Sequence, residues 1–363
     1  MSGNAHDLGF RPADPWLQAA AGGPGPDRWT RSRRRVDKDA RSARSNRHSA
    51  HQRDGIQDAY SSADSLHHMR MPGQRIAVAI AGAQKAGTTS LLRYMSQHPQ
   101  LSGHIPVECA YFADEVEWRN GWEMAYVRYF YGATTELLLA KSASLYTESV
   151  FIERLASHNP DCTVVLILRD PVERAFSAYR MEVNEGWIDQ PFDHVLTVLE
   201  DETHLWNRLF IEFGNYPAAL RRIYEFFPAS QVKVLIYEEF IGNAVEACRD
   251  VFRRVGVDDS FSPDTTVAHN VHRELASQAA GSALAWLRRS DNPLKQLAKR
   301  ALPPQAFDRI GQALIEANQG AQKDHDDMTV EIRNALGQFY RSKNRELERL
   351  LDVDLSHWSG MSV

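Results

Sequence analysis

Cysteine is scarce. There are three in 363 residues, Cys109, Cys162 and Cys248, widely separated and without a CxxC pair. An odd, scattered set excludes a disulfide framework, and no histidine stands at zinc-ligand spacing from any of them. Long apolar runs are missing as well: the longest, IAVAIAGA and TVVLIL, are strand-length and fall well short of the ~18 residues of a membrane span. The opening MSGNAHDLGFRPADPW lacks the charged-then-apolar order of a secretory leader. These absences predict a soluble, cytoplasmic protein with reduced thiols. Glutamate is absent from residues 1–72, where 12 Lys and Arg face 8 Asp. The rest of the chain holds 30 against 39, so the net charge of −5 averages a tail of +4 and a remainder of −9.

What is present is a full-sized core. Apolar residues make up 43% of the chain and aromatics 10%. A single core stops growing near ~250–300 residues, so the length implies two domains or one large domain with an appendage. Residues 1–72 are rich in Arg, Gly, Pro, Ser and Asp with no sustained helical or strand period, and their burial cannot offset the entropy of ordering. They are expected to be a disordered basic tail, 1–72. Eight of its basic residues fall between Arg31 and Arg47, a pattern that also suits nucleic acid or an anionic surface.

From Arg75 the texture changes. RIAVAIAG reads as a buried strand that runs through a glycine-containing loop into TTSLLRYMSQHP, whose apolar residues recur at helical spacing until Pro99. The same order returns in TVVLILRDPVERAFSAYRMEV, with Asp170 as candidate N-cap and Pro171 in the first helical position. QVKVLIYEEF reads as a third strand after the helix YPAALRRIYEFFP. Strands alternating with helices predict an α/β fold with a mainly parallel sheet flanked by helices. Residues 275–350 add a region of helical pattern, interrupted by Pro293, Pro303 and Pro304.

The segment Gly82-Ala83-Gln84-Lys85-Ala86-Gly87-Thr88-Thr89-Ser90 stands between a strand and a helix. Such a turn aims backbone N–H groups and the helix dipole at one point, an anion site to which Lys85 adds a full charge. A nucleotide-triphosphatase loop reads G-x-x-x-x-G-K-[ST]. Here the glycines are correctly spaced, but Thr88 occupies the lysine position and Lys85 precedes the second glycine. No Mg²⁺-type acid ends the second strand, because LILRDP places Arg169 first. A triphosphatase is disfavoured, and a P-loop small-molecule kinase is the rival enzyme.

GAQKAGTTSLLRYMSQHP resembles the 5′-phosphosulfate loop of sulfotransferases that use 3′-phosphoadenosine-5′-phosphosulfate (PAPS), in its heparan-sulfate and bacterial version. ILRDPVERAFSAYR resembles their 3′-phosphate motif, and the likeness continues through VLIYEEF to FYRSKNRELERLLDVDLSHW. The resemblance implies one P-loop-like sulfotransferase domain over 73–358. It also implies that PAPS is the donor, that adenosine 3′,5′-bisphosphate is the product and that no metal is required. By the same resemblance Lys85, Ala86, Gly87, Thr88, Thr89 and Ser90 hold the 5′-phosphate and sulfate, with Lys85 stabilising the leaving phosphate. Arg169 and Ser177 are carried over as 3′-phosphate ligands; the plain alternative is an Arg169–Asp170 surface pair. Arg174 is expected instead to pair with a nearby acid.

An acceptor hydroxyl must lose its proton during attack. The resemblance puts Glu108, in PVECAYF, in the role of base, with His104 as competitor. The acid that follows the family's aromatic pair is displaced here to Asp114, and its frequent histidine is Ala110. Lys141, in AKSASLYTES, corresponds to a family lysine beside the transferred sulfate, although Ala140 and Ala143 replace its usual neighbours. An ordinary surface lysine is the alternative. His269, Asn270, His272 and Arg273 form a loop that could approach the nucleotide, and Asp326, Asp327 and Thr329 read as helix caps, not metal ligands.

The expected acceptor is a small molecule or carbohydrate bearing a hydroxyl, or less favourably an amine. Trp118, Trp122, Trp187 and Trp206 are candidates for either its walls or the core. From a different class, a nucleic-acid-binding protein acting through the basic tail is kept as the non-enzymatic reading.

Overall fold

The computed structural model describes residues 74–105, 108–184, 187, 188, 190–266 and 328–361. The expected basic tail, the helical region up to residue 327 and the loop of His269, Asn270, His272 and Arg273 lie outside these residues, as do Asp326 and Asp327.

In chain order the elements are β1 (Arg75–Gly82), α1 (Thr88–Met95), β2 (Leu101–Gly103), α2 (Glu115–Asn120), α3 (Trp122–Phe130), β3 (Leu137–Lys141) and α4 (Ser149–His158). They continue with β4 (Thr163–Leu168), α5 (Pro171–Asn184), α6 (Tyr216–Tyr224), β5 (Val232–Ile236), α7 (Tyr237–Gly242), α8 (Ala244–Val255) and α9 (Val330–Leu351). The five strands form one sheet in the order β2-β3-β1-β4-β5, and every recorded pairing is parallel. All six residues of β4 are buried, as expected of a strand covered on both faces. The parallel α/β architecture read from the sequence is therefore the architecture found, and it is that of a P-loop-like fold.

Helix boundaries follow local chemistry. Asp170 accepts the Val172 N–H through Oδ1 at 2.9 Å, so the predicted N-cap of α5 is real and Pro171 opens the helix. Thr329 caps α9 through Ile332 N–H at 3.3 Å. One boundary differs from expectation: QVKVLIYEEF does not stay extended. β5 ends at Ile236 and α7 begins at Tyr237, with Glu238 and Glu239 in the first turn, where carboxylates favour the helix dipole.

The start of β1 is fixed by the end of α4. His158 Nε2 accepts the Ile76 N–H at 3.2 Å, and Asn159 Nδ2 donates to the Ile76 carbonyl at 3.1 Å. The His158 ring lies 4.3 Å from the Trp122 ring centroid, and burial lowers its pKa from 6.5 to about 4. The nearby Arg75 pushes in the same direction. The folded state thus keeps His158 neutral while the unfolded chain takes up a proton below about 6.5. This contribution is complete above that pH and is lost as pH falls towards about 4, a total on the order of 3 kcal/mol. Thermal unfolding between pH 7.5 and 4.5 should show a slope that becomes shallower by up to one proton in His158→Gln. An equal slope in the two proteins would refute the linkage.

Candidate active site

Because the strands run parallel, their C-terminal ends share one edge, which is where open α/β sheets bind ligands. Each residue singled out in the sequence follows such an end. Lys85 and the glycine loop follow β1, Glu108 follows β2, Lys141 closes β3 and Arg169 comes first after β4.

The loop after β1 turns on two glycines. Gly87 has φ 84°, and a Cβ there would stand 3.3 Å from both Phe240 and Tyr237. A Cβ on Gly82 would drive into the Tyr146 ring. Lys85 also adopts a left-handed backbone, φ 71°. The first turn of α1, from Thr88, leaves N–H groups without partners inside the helix, pointing to the loop side. The Ala86 methyl is buried and its N–H donates to Ala83 O at 3.1 Å, a turn that shapes the loop.

Lys141 is 1% exposed, which removes the surface-lysine alternative. Its ammonium donates to Glu108 Oε1 at 2.6 Å and to Thr89 Oγ1 at 3.1 Å. Glu108 Oε2 accepts the Ala143 N–H at 2.9 Å, while its side chain remains 42% exposed. The structure thus brings Glu108, Lys141 and Thr89 into contact. His104, the competing base, is buried, with its ring edge-on to Tyr129 and Phe130. Glu108 is the better candidate base because it is the one that solvent reaches.

A second group forms around Arg169. Its Nη1 donates to the Lys85 carbonyl at 3.1 Å, its guanidinium lies 4.9 Å from the Tyr237 ring centroid, and its own carbonyl accepts the Tyr216 hydroxyl at 2.8 Å. Among the described residues it makes no ion pair, so the Arg169–Asp170 surface pair does not form; Asp170 caps α5 instead. The Lys85 ammonium lies 3.6 Å from the Met181 thioether. Met181 is one helical turn beyond the half-buried Ser177, so Lys85 approaches the face of α5 that carries Ser177.

Arg174 departs from expectation. It is fully buried and, among the described residues, has no carboxylate partner. Nη2 donates to Leu209 O at 3.1 Å and Phe210 O at 2.7 Å, and the guanidinium faces the Phe213 ring at 5.9 Å. The acceptors lie in a π-helical turn, Asn207–Ile211, whose carbonyls are freed from the usual ladder.

The tryptophans belong mainly to packing. Trp206 is buried, and Trp118 and Trp122 pack around Tyr111 at 5.1 and 5.4 Å. Trp187 also packs against the core. A cavity of about 180 Å³ lies elsewhere, walled by Ser144, Thr147, Glu148, Arg208, Glu212 and Phe213 among others. Its Ser144–Glu148 wall continues directly from Lys141 and Ala143. Sequence reasoning missed Tyr237, although its place immediately after β5 is the same strand-end signal that singled out Arg169. It also missed Tyr216, whose hydroxyl comes from a separate helix and carries no local signature.

Residues 132–262 match the profile described as Sulfotransferase family. Over those residues the chain is similar to the sulfotransferase family. The match includes Lys141, Arg169 and Ser177; Lys85 and Glu108 precede it and are joined to it by the contacts above. The chain is 23% identical over 288 residues to bifunctional heparan sulfate N-deacetylase/N-sulfotransferase 2 of Bos taurus, covering 75% of this chain and 29% of that protein. It is 29% identical over 171 residues to N-deacetylase/N-sulfotransferase 1 of Homo sapiens, covering 43% and 19%. The chain therefore spans less than a third of the length of these relatives. Among solved structures, a sulfotransferase from Alicyclobacillus acidocaldarius superposes with TM-score 0.54 at 25% identity, over 78% of this chain and 98% of that one. Among the described residues no helix is long and apolar enough to cross a membrane.

The tight approach at Gly82 is directly testable. Gly82→Ala should cost about 1–3 kcal/mol through overpacking against Tyr146, read as a lower urea midpoint with an unchanged m-value. An unchanged midpoint would show that Tyr146 gives way freely.

Proposed function

We propose that the protein transfers a sulfuryl group from PAPS to a hydroxyl, or an amine, of a carbohydrate or small-molecule acceptor. The observation that carries this reading is the contact of Lys141 with both Glu108 and Thr89, which ties a solvent-reachable carboxylate to the phosphate-loop helix at 2.6 and 3.1 Å. The family match and the heparan-sulfate names of the relatives support a sulfated carbohydrate product. The term N-sulfotransferase in those names keeps nitrogen alongside oxygen as an acceptor atom.

In the proposed step the acceptor atom forms a bond to sulfur in line with the bond that breaks, between sulfur and the bridging oxygen of the 5′-phosphate. The leaving phosphate keeps the electron pair and the acceptor proton passes to Glu108. Lys85 and the loop amides of Gly87, Thr88, Thr89 and Ser90 meet the charge that grows on the departing oxygen. Lys141 orients Glu108 next to the transferring group. Arg169 and Ser177 hold the 3′-phosphate; an arginine fork suits that group. The product would be adenosine 3′,5′-bisphosphate. Positioning and charge stabilisation suffice for such a transfer, as in phosphoryl transfer. The acceptor enters through the cavity beside Ser144 and Thr147, whose hydroxyls, carboxylates and Arg208 suit a polyhydroxylated molecule.

Turnover with radiolabelled PAPS and a panel of hydroxyl and amino acceptors tests the assignment. Lys85→Ala should lose roughly 10²–10³-fold in kcat, and Glu108→Gln roughly 10²–10⁴-fold. Variants that turn over at the wild-type rate would overturn these roles. Calorimetric binding of Mg²⁺-ATP in preference to adenosine 3′,5′-bisphosphate would instead favour a kinase.

A further inference from the structure

The turn around Ser359 reaches back 189 residues to the proposed 3′-phosphate site. Ser359 donates its N–H and its hydroxyl to Asp170 Oδ2, both at 2.7 Å. Asp170 Oδ1 accepts the Val172 N–H at 2.9 Å, and the residue is only 6% exposed. One residue earlier, Trp358 Nε1 donates to Glu238 Oε2 at 3.3 Å, while Glu238 Oε1 accepts the Asp170 N–H at 3.4 Å. Trp358 is 1% exposed, and its ring lies 6.0 Å from that of Tyr216, whose hydroxyl holds the Arg169 carbonyl.

The turn is itself clamped to α9. Gly360 has φ 76° and packs backbone to backbone against Gly337, where a Cβ on either residue would clash, and its carbonyl accepts Arg341 Nε at 2.6 Å. So much fixation of a terminal segment needs a reason. Helix capping alone requires only Oδ1 of Asp170, and Oδ1 is already engaged by Val172.

Asp170 is the chain neighbour of Arg169. A carboxylate left loose there would pair with the guanidinium and repel an arriving anion, because opposite charges within ~4 Å attract and like charges repel by amounts that decide anion affinity. Three donors hold this carboxylate away from Arg169. The guanidinium is left against Tyr237 and the Lys85 carbonyl, without an ion pair among the described residues.

We infer that Ser359 and Trp358 are positioning residues of the donor site. They form a C-terminal clasp that sequesters Asp170 and Glu238, so that Arg169 stays available to a nucleotide 3′-phosphate. The inference rests on the reading of Arg169 given above. It assigns no contact between the clasp and the nucleotide.

Isothermal titration of the full chain with adenosine 3′,5′-bisphosphate and with adenosine 5′-monophosphate separates the possibilities, because only the first carries the 3′-phosphate. The wild-type protein should prefer the bisphosphate. Ser359→Ala should weaken bisphosphate binding roughly tenfold, the scale of one hydrogen bond to a charged group, and leave the monophosphate within twofold. Ser359→Thr, which keeps the hydroxyl, should restore the preference. Trp358→Phe keeps the ring but removes the donor to Glu238, and should narrow the preference in the same direction, which decides the matter should Ser359→Ala fail to fold. Equal loss for both nucleotides would mark the clasp as merely structural and overturn the inference, as would an unchanged preference in both variants. A wild-type protein without preference would instead overturn the Arg169 assignment, and the clasp's role with it.

Discussion

An ammonium group cannot be buried alone. Lys141 is the last residue of β3 and is 1% exposed, and an uncompensated charge in that position would cost several kcal/mol. The requirement is met from two other segments: the loop after β2 supplies the Glu108 carboxylate, and the start of α1 supplies the Thr89 hydroxyl. Three strand exits are thereby tied together at one point. Glu108 is held where it stands because Lys141 needs it, and the Ala143 N–H fixes its second oxygen. The orientation of Glu108 thus follows from charge neutralisation inside the sheet edge.

The same principle explains how, under the proposed function, a chain with excess negative charge would present an anion site. Around the strand ends three carboxylates are engaged by donors. Glu108 takes Lys141 and Ala143, Asp170 takes Val172 and Ser359, and Glu238 takes Asp170 N–H and Trp358. Arg169 is treated differently: its guanidinium rests against an aromatic ring and a carbonyl, with no ion pair among the described residues. Local pairing, not the overall charge of −5, sets the field where a phosphate would arrive.

The parts of this arrangement legible in the sequence are those with a local signature. RIAVAIAG and TVVLIL read as strands because both faces are buried, and Asp170-Pro171 reads as a helix start because the capping chemistry lies within three residues. Glu108 and Lys141 could be singled out one by one, by resemblance, but their contact joins residues 33 apart across two strands and leaves no periodic trace. Arg174 misled for a related reason: an arginine on an amphipathic helix suggests an acidic neighbour, whereas its acceptors are backbone carbonyls 35 and 36 residues away, exposed by an irregular turn. The clasp left no trace because Ser359 and Asp170 stand 189 residues apart and meet only in the fold.

The loop after β1 has glycines at triphosphatase spacing but its lysine two places early, and the backbone shows what that shift entails. Lys85 lies within the turn in the left-handed region, φ 71°, a conformation that costs a non-glycine residue on the order of 1 kcal/mol. The Arg169 guanidinium, bonded to the Lys85 carbonyl at 3.1 Å, helps to offset that cost. Lys85 and Arg169 are therefore coupled through the backbone as well as through any shared ligand. Under the proposed function they serve opposite ends of one nucleotide, so removing the Arg169 side chain would disturb the leaving-group lysine along with the 3′-phosphate contact. Single substitutions at the two positions would then be less than additive, as is expected for residues that share a partner.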